Sequence, residues 1–180
     1  MNARREGEAT PMKNRTTVER KSERETLVTR TFNGPARIVF ESFTRPELLR
    51  RWWAPKSTGL SLLSCEVDAR VGGKYRFVFG VGQDASNPME FFGRYIEVTP
   101  HSRLVWTNDE GGDGGAVTTV TFEEKGGKTL LVMHDLYPSK DALDRTLATG
   151  MEGGMSESLE QLDELLLTLA GSASSPSRAS

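Results

Sequence analysis

Few residues in this chain could carry acid–base chemistry inside a fold, and His134 is the first of them. It stands in "LLVMHDLYP", beside Asp135 and three residues before Tyr137. An imidazole titrates near neutral pH, so His134 suits general acid or base work; it suits a hydrogen-bonded place in a core equally well. His101, in "TPHSR", belongs to a turn and is expected to be exposed. Two histidines and one cysteine make no cluster with zinc-ligand spacing, so neither a metal nor another cofactor is expected. Cys65 lies in a strand-like stretch with no histidine nearby in sequence, which favours inert burial over nucleophilic use. "EGGDGG" has the composition of a phosphate loop. It lacks the Lys-Ser/Thr ending and the following helix, and reads as a hairpin link. His134 is the sole catalytic candidate, and the balance is against an enzyme.

A second group of residues could bind rather than react. Trp52 and Trp53 are adjacent in "LLRRWWAPKSTG", and adjacent side chains point in different directions. An ordinary core role for both is one reading, since large aromatics contribute much of the area of a small core, and Trp53 is also a candidate for binding. Aromatic or soft side chains at inward strand or helix positions extend this set. They are Phe77, Phe79, Tyr95, Trp106, Val132 and His134 on strands, with Met151, Met155 and Leu159 on a helix. Methionine adapts to irregular shapes, which suits a variable ligand. These inward assignments depend on strand parity, since a slip of one residue exchanges the two faces.

The elements that must position these residues follow from period and punctuation. "ETLVTRTF" reads as a strand ending at Asn33-Gly34-Pro35. "PARIVFESF" opens with a proline suited to a first helical turn. "TRPELLRRWW" follows as a second short helix, with Thr44 as N-cap and Pro55 closing it. "LSLLSCEVD", "KYRFVF", "EFFGRYIEV", "RLVWTND", "VTTVTFEEK" and "KTLLVMHD" then alternate in the manner of an antiparallel meander. Gly93, within one of these strands, suggests a bend or bulge. Leu143, Leu147, Met151, Met155, Leu159, Leu162, Leu166 and Leu169 step by three or four and form one apolar helical stripe. Gly150, Gly153 and Gly154 interrupt it, and Thr149 with Glu152 has the form of a capping box, so a kink and a break near Gly150 are both open. A curved sheet gripping a long helix buries that stripe and tends to leave a hollow between the two.

Bulk properties bound the rest. The chain has 180 residues and a formal charge of −2, which suits one domain and argues against phosphate-neutralising nucleic-acid binding. One cysteine excludes an internal disulfide and points to a reducing compartment, hence a cytoplasmic location. No apolar run is long enough for a membrane span, and the N-terminus has no signal-peptide core. Residues 1–24 are charged and nearly without aliphatics, and 171–180 are small and polar; both read as disordered tails around a domain at 25–170.

"RTFNGPARIVFESFTRPELLRRWWAP" resembles the opening signature of the activator of heat-shock protein 90 ATPase homologue-like family, within the START-like (SRPBCC, birch-pollen-allergen-like) superfamily. "DARVGGKYRF", "GRYIEVTPHSRLVWT", "VTTVTFEEKGGKTLLVMHDLYP" and "GMEGGMSESLEQLDELL" continue it in family order. The resemblance implies an α+β helix-grip (START-like) fold: a curved antiparallel sheet wrapped around a long C-terminal helix, with two short helices after the first strand. It also implies a homodimer and a small apolar molecule or lipid as ligand, and it places Trp52 and Trp53 where the second short helix hands over to the next strand, with Trp52 expected to wedge between helix and sheet and Trp53 to face the mouth of a cavity. Three functions stay open: a domain binding such a ligand between sheet and helix, a co-chaperone-like module whose partner is a chaperone, and a cyclase- or hydrolase-type enzyme using His134. A fold alone does not choose among them.

Overall fold

A computed structural model describes residues 15–110 and 115–173, the side chains of Met151, Glu152, Ser172 and Ala173 lying outside the described set. Eight strands form one antiparallel sheet in the order β1-β2-β8-β7-β6-β5-β4-β3. They are β1 (Thr17–Arg20), β2 (Glu25–Phe32), β3 (Leu60–Val67), β4 (Lys74–Val81), β5 (Asp84–Thr99), β6 (Arg103–Thr107), β7 (Val117–Lys125) and β8 (Lys128–Leu136). Helices α1 (Ala36–Thr44) and α2 (Pro46–Leu49) follow β2, and α3 (Lys140–Ala148) and α4 (Met151–Ala173) close the chain. The sheet curves, and α4 lies across its concave face; the helix-grip arrangement expected from the resemblance is the one observed.

Alternation explains which face is inside. In β7, Thr118, Val120 and Phe122 are buried while Val117, Thr119 and Thr121 are half-buried. The tight turn at Gly126-Gly127 sets Lys125 opposite Lys128, which places Val120 beside Met133 and Thr118 beside Asp135. Leu143, Leu159, Leu162 and Leu166 of the helical stripe are buried with Leu165 against Phe32, Val39, Leu104 and Leu131. Arg30 is buried on the inner face of β2. It pairs with Asp163 of α4, donates to Thr16 Oγ1 at 2.8 Å, and lies 5.7 Å from the Phe32 ring centre. A guanidinium in that position is tolerated because its donors are occupied.

The structure corrects several boundaries. The segment read as a disordered tail contributes β1, which pairs with β2 from Thr17↔Thr29 to Arg20↔Thr26. Its expected disorder rested on lacking aliphatics, but an edge strand is held by backbone hydrogen bonds and here has one aliphatic side chain, Val18, packed on the core. Residues 1–14 of that expectation lie outside the described residues, as do 111–114 of the glycine-rich link and 174–180 of the C-terminal tail. At the other end α4 continues to Ala173, past the expected limit of 170. Thr44 is not the N-cap of α2. Arg45 holds that place, and the Thr44 hydroxyl donates back to Phe40 O at 3.1 Å, within α1.

The open question at the C-terminal stripe is settled as a break. Gly150 has φ +75°, in the left-handed region, where a side chain would be strained. Thr149 is the C-cap of α3, and its hydroxyl donates to Thr146 O; whether it also caps α4 with Glu152 falls on residues outside the described set. Gly93 has a different role from the expected bulge. A Cβ there would lie 1.9 Å from Thr107 O and 2.9 Å from the Tyr75 ring, so glycine permits β6 to come close; the register shift itself falls between Tyr95 and Glu97.

Candidate functional site

One row of side chains crosses the concave face at the end of the sheet near α3. Register places Tyr95 beside Trp106, Trp106 beside Thr118, Thr118 beside Asp135, and Asp135 beside Thr26. Apolar rings occupy one half of this row and hydroxyls with a carboxyl occupy the other. The polar half is wired in one direction. Asn108 Nδ2 donates to Ala116 O at 2.9 Å and to Thr118 Oγ1 at 3.0 Å. With its oxygen so engaged, the Thr118 hydroxyl sends its own proton to Asp135 Oδ1, at 2.5 Å. Tyr75 donates to Thr107 O at 2.7 Å and meets Asn108 Oδ1 at 3.3 Å, which joins the ring cluster to this chain.

Burial is the first cause acting on the Asp135 carboxyl. It raises the group above the usual carboxylate range, against the opposing pull of bonds from Thr118 and Thr26 and the nearby His134. The same cause pushes Tyr137 up to about 12. Beside these two residues lies a cavity of about 30 Å³, lined by Val18, Thr26, Val28, Asp135, Tyr137, Leu147 and Met155. It is a space for one or two waters. Five elements and the segment after β8 meet around it: β1 and β2 supply valines, α3 Leu147, α4 Met155, and β8 the carboxyl. A surface groove of about 300 Å³ on another flank of α4 is mostly polar, with Arg51, Lys56, Gln161 and Glu164 around Leu165 and Thr168.

The expected binding residues divide on this geometry. Phe77, Phe79 and Tyr95 are buried on the inner face, and Trp106 is partly buried there. They meet their neighbours as rings: Trp53 to Phe77 at 5.6 Å, Tyr75 to Phe77 at 5.2 Å, Phe79 to Phe91 at 5.5 Å, Tyr95 to Trp106 at 6.4 Å. The hollow expected among them is taken up by these ring contacts, two edge-on and two tilted. Leu159 is fully buried, and Met155 is the member of the set that lines the cavity. The Met151 side chain lies outside the described residues.

Val132 and His134 belong to the other face. Val132 stands between Thr29 and Thr121, and His134 Nε2 meets Glu25 Oε1 at 2.9 Å, both side chains about a third exposed. Hydrogen bonds from Ser22 and His134 hold the Glu25 carboxyl below its ordinary range. His134 is therefore removed from the interior acid–base role, and Asp135 and Tyr137 are the titratable groups lining the cavity. "KTLLVMHDL" has apolar residues on both parities, so alternation within it cannot decide which set is inside. The clean alternation of β7 and the two-glycine turn carried the missing signal.

Trp52 fills the wedge expected of it. It has no exposed surface, its Nε1 donates to Ser42 O at 2.9 Å, and its ring meets Phe43 edge-on at 4.8 Å. Trp53 is partly buried. Both lie in the turn after α2, and α4 grips that turn by its backbone: Gln161 Nε2 donates to Trp52 O and Ala54 O, each at 2.9 Å, and Gln161 Oε1 accepts from Lys56 N at 2.9 Å. Ser158 donates to Trp53 O at 2.8 Å, and Glu157 accepts from Ser57 N at 2.9 Å. The sequence reading missed this clamp. Ser158 and Gln161 interrupt the apolar stripe on its buried side, and that interruption was the available sign.

Among the described residues, no group of three or more histidine, cysteine or acidic side chains is placed to hold a metal, and no helix is long and apolar enough to cross a membrane.

Solved structures share this arrangement. A protein from Rhodobacter sphaeroides superposes with a TM-score of 0.77 at 23% identity, covering 86% of this chain and 99% of that one. A protein from Nitrosomonas europaea gives 0.73 at 23% identity, covering 84% and 99%. An AHSA1-like protein from Aeromonas hydrophila gives 0.63 at 20% identity, covering 78% and 94%. At these identities the shared property is the fold. No curated protein matches the chain. The family described as "Activator of Hsp90 ATPase homolog 1-like protein" matches residues 33–167, and the chain belongs to it.

Proposed function

We propose that this protein binds a small, mainly apolar molecule between its sheet and the junction of α3 with α4. The observation that carries this reading is the cavity at Asp135, where one half-buried carboxyl lies with Val18, Val28, Leu147 and Met155. A few polar groups in an otherwise apolar recess is the usual character of a small-molecule site. The present volume holds water alone, so binding requires the first turns of α4 to move away from the sheet. Gly150 is the natural pivot, and a Cβ at Gly153 would meet nothing within 4 Å. Once open, the recess continues toward Trp106, Tyr95 and Phe77, which would supply the apolar wall; Trp53, Phe79 and Leu159 back it.

The neutral fluorophore 6-propionyl-2-dimethylaminonaphthalene tests this. Its emission is expected to shift blue with one molecule bound per chain, and Met155→Trp, which fills the cavity, is expected to abolish the shift. Native mass spectrometry of protein purified from cells is expected to show a co-purified adduct. Neither dye uptake nor adduct in the wild type would sink the reading.

A second reading is favoured by a separate observation. Met89, Phe91, Phe92 and Ile96 of β5 are 39–51% exposed, Met89 and Phe91 on the face of Phe79 and Phe77 and Phe92 on the opposite face beside Arg76, so this strand offers apolar side chains of the kind that engage another protein. A chaperone partner predicts stimulation of a purified chaperone's ATPase by the wild type and its loss in Phe91→Ser with Phe92→Ser.

A further inference from the structure

Resting on the ligand reading above, the anchorage of the cavity walls shows which of them yields to admit a molecule. The cavity is enclosed by β1, β2, β8, α3, α4 and Tyr137. β2 and β8 are paired on both sides within the sheet. α3 holds the fully buried Leu143. From Glu157 onward α4 is tied to the turn at residues 52–57 by the side chains of Glu157, Ser158 and Gln161. β1 has much less. It is four residues long, pairs with β2 alone, and packs one aliphatic side chain, Val18, on the core. We infer that β1 is a strap over the cavity, pivoting on the hairpin turn at 21–24, and that a ligand enters through the gap beside α3 when β1 leaves the sheet edge.

Side-chain ties hold the strap closed and join it to the helices around the cavity. Arg20 Nη2 meets Asp144 Oδ1 of α3 at 2.8 Å, with both side chains more than a third exposed, and Asp144 is shared with Lys140. A pair so open to water is weak, a factor of about two to five in an opening equilibrium. Thr16, just before β1, accepts from Arg30 at 2.8 Å, and the same guanidinium pairs with Asp163 of α4. The turn itself stays anchored. Lys21 N and Ser22 N donate to Glu25 O at 3.0 and 3.4 Å, and Arg24 Nε donates to Tyr137 O at 2.9 Å. Few buried apolar contacts and an exposed strand mark a segment that opens at lower cost than the rest of the fold. Release of β1 takes away Val18 and the Arg20 tie to α3 together. One event thus unroofs the cavity and frees the α3–α4 junction.

A switchable cross-link tests this. Val18 and Val28 are register partners, and the Cα separation of such a pair suits a disulfide. Cys65 is buried on the strand at the opposite edge of the sheet and does not compete. In Val18→Cys with Val28→Cys, uptake and release of 6-propionyl-2-dimethylaminonaphthalene are followed by stopped flow in the oxidised and the reduced protein. Closing the disulfide is expected to slow both rates at least about tenfold, since a cross-link holds the strand more strongly than its native contacts do. Affinity is expected to be retained, because both directions pass through the same opening. Arg20→Ala, which frees the strap from α3, is expected to speed uptake about two- to fivefold. Equal rates in the oxidised and reduced protein overturn the inference while leaving the ligand reading standing. So does a loss of affinity at an unchanged release rate, the sign of a deformed cavity, and so does an Arg20→Ala variant no faster than wild type. If the first pair misfolds or stays reduced, Thr17→Cys with Thr29→Cys makes the same comparison; these register partners lie on the convex face and leave the cavity lining intact. If the wild type takes up no dye, the ligand reading itself fails, and the strap with it.

Discussion

A carboxyl on the concave face and an imidazole on the convex face, adjacent in sequence, show how much one residue of register decides. Asp135 and His134 differ by a single step along β8, and the step exchanges cavity for solvent. The pH behaviour follows from Asp135, the half-buried member on the cavity side. Its carboxyl is raised above its ordinary value near 3.8, so in the window above that value the native state keeps a proton that the unfolded chain has released. Stability from this group is complete below that window and declines as pH rises through it toward the folded pKa. Asp135→Asn has no such proton and leaves an acceptor for Thr118. Its stability relative to wild type is expected to grow as pH rises from about 4 to about 8, read from urea unfolding curves. Parallel curves would show that burial does not govern the carboxyl.

At the scale of elements, the paired tryptophans are explained by the helix that holds them. Trp52 enters the core, Trp53 turns to Phe77, and the turn between them and Lys56 is stabilised by Gln161, whose side chain satisfies three backbone groups. Truncation to Gln161→Ala leaves two carbonyls and one N–H without those partners. The expected cost is about 2–4 kcal/mol, with a red shift of tryptophan emission while the circular dichroism of the folded state is retained. Substituting the exposed Glu157 should do much less, since its bonds to Ser57 compete with water. An equal loss from both would show that the grip is carried by apolar packing. The two short helices, every strand from β2 onward and the apolar stripe were legible from period, proline and glycine. β1 was not, because an edge strand needs little apolar burial to pair.

For the whole molecule, β1 connects the cavity to the packing of α4. Val18 forms part of the cavity wall, and Thr16 accepts from Arg30, whose guanidinium also pairs with Asp163. We therefore expect a chain beginning at residue 25 to melt on the order of 5 °C below one beginning at residue 15, by differential scanning calorimetry. Equal melting temperatures would mean that β1 is an ornament of the sheet. The same comparison bears on the ligand reading, because loss of Val18 opens one side of the cavity to water.

Local chemistry along the chain was sufficient for the order of elements and the antiparallel meander, because hydrophobic period and turn residues act over a few positions. The family and the wedge position of Trp52 came instead from the resemblance of the chain's motifs to known ones. Tertiary structure alone decided that the inner face of β8 carries Met133 and Asp135, that the expected ring-lined hollow is filled by ring contacts, and that a small cavity remains by the α3–α4 break. Those outcomes depend on how eight strands register and how closely a helix settles on them. Such distances are set by long-range packing, and no short stretch of residues encodes them.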